Sequence, residues 1–164
     1  MLGSAKRSLT VLAGAVALSG CVEVLDSRTD GFTDAAVRVT QGTVIAEMSL
    51  LTDFRVPVEI TNLGPNWVVY DRWCDWRIEQ YVNGRWVPAY YPYCTIDAQE
   101  YYSIPPGATY FESLPAHRDW RVGNGAGIEG TYRVVFRIYE EVDFDRHVQL
   151  REDRTTSGAF QVRR

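Results

Sequence analysis

Two histidines, His117 and His147, and three cysteines, Cys21, Cys74 and Cys94, are the side chains of this 164-residue chain best suited to nucleophilic or metal chemistry. Hydrolysis through a Ser or Cys nucleophile needs a histidine base within hydrogen-bond reach, and neither histidine lies in a recognisable nucleophile motif. His117-Arg118-Asp119 copies a kinase tripeptide in letters alone, because no Gly-rich loop and no metal-binding Asn accompany it; it reads as surface loop. No CxxC or Cys/His spacing supports a metal. Gly123-Asn124-Gly125-Ala126-Gly127 lacks the Lys-Ser/Thr of a phosphate cradle and precedes a strand pattern, not a helix. It reads as a flexible loop. Glu140, Glu141, Asp143 and Asp145 supply oxygens of the kind hard cations want, yet their spacing matches no calcium loop and Arg146 competes as counter-charge. A solvated hairpin is the plainer account, and no cofactor is expected.

Aromatic density is the feature that remains. Trp67, Tyr70, Trp73, Trp76, Tyr81, Trp86, Tyr90, Tyr91, Tyr93, Tyr101 and Tyr102 all fall between residues 67 and 102. Trp and Tyr bury large areas and fill sandwich cores well, and Trp76 is assigned there. Trp73, Trp86, Tyr90, Tyr91 and Tyr93 cluster around Cys74 and Cys94, so they serve either as core packing or as a rigid surface for a protein or sugar partner.

The elements that would position these residues are strands. Val56, Val58 and Ile60 alternate with Pro57, Glu59 and Thr61, as Val44, Ala46, Met48 and Leu50 do with Ile45, Glu47 and Ser49. Pro57 cannot donate a ladder hydrogen bond, which predicts an edge-like position or a bulge. One long stretch covers residues 67–82, with Trp76, Ile78 and Val82 on one face. Asn83-Gly84 then signals a type I′ hairpin, since both central residues need positive φ, and residues 85–89 form the return strand. A short strand over 109–114 precedes a loop over 115–127. The clearest strand puts Tyr132, Val134, Phe136 and Ile138 inward; residues 142–151 form a charged excursion, and Phe160 and Val162 point inward at the end. With no 3.6-residue period after the first twenty residues, the pattern predicts an all-β antiparallel sandwich of about seven strands.

Lys6 and Arg7 lead an apolar run over residues 9–18, the layout of a signal peptide and far short of the roughly 20 residues of a membrane span. The junction Leu18-Ser19-Gly20-Cys21 resembles the lipobox of bacterial lipoproteins. That resemblance implies removal of residues 1–20 and acylation of Cys21. Residues 21–34 become the lipidated N-terminus and tether, and 35–164 the domain. Several acyl chains, each methylene contributing about 0.8 kcal/mol, hold such a protein on a membrane. Val22 stands where the retention signal for the inner membrane would be Asp, which implies the outer membrane. The mature chain keeps 15 basic residues against 21 acidic ones and has no lysine. Its arginines alternate with acids, so the clustered cations that release counterions from nucleic acid are missing.

In the oxidising compartment this signal implies, Cys74 and Cys94 form an even pair. A bridge closing about 20 residues would contribute roughly 3 kcal/mol; two separately buried thiols are the alternative. Trp76, at the place of a core Trp on a third strand, and Gly130-Thr131-Tyr132-Arg133-Val134, which looks like a tyrosine corner, together resemble bacterial immunoglobulin-like domains. Val134 stands where antibody domains carry their second core cysteine, so their disulfide is absent. The reading that follows is a non-enzymatic, lipid-anchored envelope module that contacts an envelope protein or glycan. A second reading rests on Pro105-Pro106-Gly107, Trp120 and Gly130-Thr131-Tyr132, which are loosely similar to small β-sandwich proteinase inhibitors of bacteria. An envelope enzyme ranks third.

Overall fold

Alternating apolar residues build the strands that carry the site, and a computed structural model describes residues 35–47, 51–95, 97, 99–122, 127–143 and 146–164. Twelve strands run through them: β1 (Ala35–Val39), β2 (Thr43–Ile45), β3 (Thr52–Asn62), β4 (Val68–Asp71), β5 (Trp76–Val82), β6 (Arg85–Tyr90), β7 (Tyr101–Ile104), β8 (Thr109–His117), β9 (Gly130–Phe136), β10 (Tyr139–Asp143), β11 (Arg146–Gln149) and β12 (Phe160–Arg163). They form sheets of order β1-β3-β8, β11-β10-β4-β7 and β2-β12-β9-β5-β6. The ladders are antiparallel apart from β2 on β12.

Val56, Val58 and Ile60 of β3 and Tyr132, Val134 and Phe136 of β9 are all buried, as their period of two dictates. Rings join the sheets. Phe54 of β3 lies 5.3 Å from both Tyr90 of β6 and Tyr132 of β9. Tyr70 of β4 meets Phe136 edge-on at 5.6 Å, and Tyr102 of β7 lies 5.0 Å from Tyr110 of β8. Buried side chains from all three sheets share one core, so the chain is an all-β, predominantly antiparallel sandwich. Tyr132 donates its hydroxyl to the Ile128 carbonyl at 2.9 Å, tying the start of β9 to the segment before it.

Several elements differ from their sequence pattern. Twelve strands replace about seven because stretches read as continuous or irregular are divided and paired. Residues 67–82 break after Asp71, whose carboxylate accepts the Trp73 amide at 2.9 Å while its carbonyl accepts the amides of Cys74 and Asp75. This Asx-type turn sends β4 and β5 into different sheets. β8 runs on to His117 through Pro115, which an edge strand tolerates. The charged excursion contains the paired strands β10 and β11. Pro57 lies in the central strand of its sheet, but its carbonyl accepts from Thr40, just beyond the β1 ladder that ends at Val39 opposite Val58. The missing amide therefore falls where pairing with β1 has stopped. Asn83 (φ 51°) and Gly84 (φ 82°) close the hairpin in the left-handed conformation expected of them.

Candidate partner surface

The turn after β4 and the segment after β6 are each anchored locally and then tied together. Asp71 Oδ1 accepts the Trp73 and Glu100 amides, and Asp75 Oδ2 accepts the Asp71 amide at 2.9 Å. Burial pushes the Asp75 carboxyl above its ordinary value. Following β6, the Tyr91 amide donates to the Trp120 carbonyl at 3.0 Å. Cys74 and Cys94 then form the expected disulfide, with Cα atoms 5.2 Å apart.

Around this bridge Trp73 is 36% exposed, Tyr91 43% and Tyr93 75%. These are solvent-facing rings on a braced backbone. Trp73 is further fixed by its indole N–H, which donates to Glu100 at 2.9 Å, and by the Arg72 guanidinium 5.1 Å from its ring centre.

Two of the five expected surface residues behave differently. Tyr90 is fully buried, its hydroxyl donating to Asp53 at 2.9 Å, and this corrects its assignment to a partner surface. The β5–β6 register steps from Glu79 opposite Pro88 to Ile78 opposite Tyr90, and the extra residue turns Tyr90 inward. Trp86 is half-buried at the other end of β6, against Tyr81 at 5.1 Å and beneath the Arg133 guanidinium at 4.6 Å. It belongs to an outer strip in which Glu79 joins Arg133 and Arg77, and Glu152 clasps Arg77 through both terminal nitrogens. Trp73, Tyr91 and Tyr93 are left as the exposed aromatic group at the bridge.

Two clefts flank that group. The larger, about 390 Å³, has Trp76, Tyr91, Pro92, Val135 and the bridge as apolar lining, with Arg77 and Arg137 as its charged side chains. The smaller, about 180 Å³, places Trp73 beside Arg55, Arg72, Glu112 and His117. Burial pushes Glu112 above the ordinary carboxyl range, although Arg72 approaches within 3.2 Å. His117 Nδ1 lies 3.2 Å from Thr52 Oγ1 and 3.3 Å from the Leu51 carbonyl. Thr52 is buried, while His117 itself lines the smaller cleft. The sequence reading missed Arg137 and Pro92 as cleft residues, since neither carries a motif. Cys21 and the rest of residues 1–34, like Gly123 to Ala126, lie outside the described residues.

No family model matches the chain, and no curated protein matches it. Among solved structures it is similar to the CooA pilin subunit from enterotoxigenic Escherichia coli, with 11% identity over 79% of this chain and 97% of that one and a TM-score of 0.32. That score is too low to define a shared topology.

Proposed function

We propose that this protein is a lipid-anchored module of a bacterial cell envelope that recognises another envelope component and catalyses no reaction. The signal-like start and Leu18-Ser19-Gly20-Cys21 support the anchor, with acyl chains on Cys21 holding the domain at a membrane surface, the outer membrane in a two-membrane cell. The observation that carries the recognition role is the exposed group Trp73, Tyr91 and Tyr93 beside the Cys74–Cys94 bridge. Large rings held by fixed backbone bind at little entropic cost, which is why Trp and Tyr dominate the energetic centres of interfaces.

The test combines two readouts on protein expressed in its own bacterium. Mass analysis of the N-terminal peptide is expected to show a chain beginning at an acylated Cys21, and Cys21→Ser is expected to leave the membrane fraction. Envelope material captured by the parent is expected to be lost when Trp73, Tyr91 and Tyr93 become Ala in a variant that keeps its circular dichroism spectrum. An unmodified chain beginning at Met1 would overturn the anchor; unchanged capture would overturn the recognition surface.

A further inference from the structure

We infer that the end of the sandwich at which β1 begins is a membrane-facing surface, with Leu63, Pro65 and Trp67 resting in the interfacial zone of the bilayer that holds Cys21. This deepens the proposed lipid anchor and rests on it. Leu63 is 52% exposed and Trp67 48%, with exposed Pro65 between them and exposed Pro106 on the neighbouring turn. Such a cluster at the tip of a loop calls for a partner that takes up apolar surface.

One buried side chain makes the tip rigid. Asn62, the last residue of β3, donates its Nδ2 to the Asn66 carbonyl at 2.8 Å and to the Ile104 carbonyl at 2.9 Å, while its Oδ1 accepts the Gly64 amide at 3.0 Å. Its backbone amide donates to the Ala108 carbonyl and its carbonyl accepts the Gly107 amide. The 63–67 loop and the 105–108 turn are therefore held as one preformed projection, and docking it orders little that is not already fixed.

The occupant follows from where the tether joins the domain. Ala35, the first residue of β1, is the ladder partner of Asn62, about 5 Å away across the pair. It lies fourteen residues beyond Cys21, and a chain of that length spans about 20 Å as a coil and at most about 50 Å when extended. An acylated Cys21 thus brings the bilayer to the end that carries Leu63, and Trp is a residue that settles at the membrane interface. Charge decides which part of the bilayer is met. Residues 56–71 and 101–112 contain no Lys or Arg, while Glu140 accepts from Asn66 and the Glu141 amide donates to the Trp67 carbonyl. Anionic headgroups therefore find no basic cluster there, and the contact is apolar. β4 runs from Val68, next to Trp67, to Asp71 at the bridge turn, so this orientation leaves Trp73, Tyr91 and Tyr93 farther from the bilayer and open to a partner.

The experiment takes the full acylated chain in phosphatidylcholine vesicles, with a fluorescent label on a cysteine introduced by Leu63→Cys or, as control, by Asp119→Cys. Both positions are exposed, and Asp119 follows the β8 end that pairs with Thr52, the far end of eleven-residue β3, about 35 Å away. A doxyl quencher carried near the head of the lipid acyl chains is expected to quench the label at 63 at least about fivefold more strongly than the label at 119. Trp67→Gln, in a variant that keeps its circular dichroism spectrum, should weaken quenching at 63, and added phosphatidylglycerol should not strengthen it. Equal quenching at the two positions, quenching at 63 that ignores Trp67→Gln, or quenching that grows with phosphatidylglycerol would each overturn the proposal. Flotation with the vesicles reads the anchor separately. A chain that floats through its acylated Cys21 yet is quenched equally at both positions keeps the anchor and loses this orientation; a chain that carries no acyl group and does not float loses both.

Discussion

Glu112 illustrates how much individual side chains here are governed by burial. It is almost fully buried on β8, where Oε1 takes the Arg72 Nε at 3.2 Å and the Tyr70 hydroxyl at 3.4 Å. Desolvation outweighs both partners and raises its pKa above 4.5. A carboxyl raised on folding contributes its linked stability in full below the unfolded value, and that contribution is lost as pH rises through the folded one. Glu112→Gln deletes the linkage. The stability of the parent relative to this variant should therefore fall as pH rises upward from the ordinary carboxyl range, as read by urea unfolding; a flat or rising difference would contradict the assignment. Tyr90 obeys the same rule, since burial raises its phenol and Asp53 accepts its proton in a hydrogen bond. It is a core residue despite having exposed Tyr91 as its chain neighbour.

The disulfide is the element that joins the β4–β5 turn to the segment after β6. Replacing both Cys74 and Cys94 by Ala should cost about 3 kcal/mol in urea unfolding, the chain-entropy value for a loop of this length; a loss below about 0.5 kcal/mol would show that packing alone holds the segment. Elements specified by local chemistry were legible in the sequence. Asn83-Gly84 requires positive φ and takes it, and the alternation from Tyr132 to Ile138 places those four side chains in the core. Elements fixed by a side chain bonding to backbone were not. The strand pattern runs unbroken across Asp71 to Asp75, and the bonds that divide it are made by the Asp71 carboxylate and carbonyl and by the Asp75 carboxylate. The inward turn of Tyr90 depends on a register step opposite Pro88, which periodicity cannot register. The five-residue candidate surface accordingly contracts to Trp73, Tyr91 and Tyr93, with Arg137 added by spatial proximity through a cleft that no local pattern announces.

Taken whole, the molecule is a predominantly antiparallel sandwich that gathers one hydrophobic core and leaves one exposed aromatic group where two segments are cross-linked, with Trp67, Tyr81, Tyr101 and Phe111 exposed elsewhere. The chain, with 21 acidic residues against 17 basic ones, lacks the clustered cations of a nucleic-acid binder, and the proposed anchor would hold the aromatic group close to other envelope components. Under the proposed anchoring, restriction to a surface would raise the local concentration of partners, so that a modest contact at Tyr91 and Tyr93 would suffice. The decisive measurement is photo-crosslinking in intact cells, with a photoreactive amino acid placed at Tyr93 and, in a second strain, at exposed Gln149 on β11. The account predicts a discrete membrane-associated adduct from position 93 that position 149 does not give and that disappears when Trp73 and Tyr91 become Ala. The same adducts from both positions, or none from position 93, would contradict it.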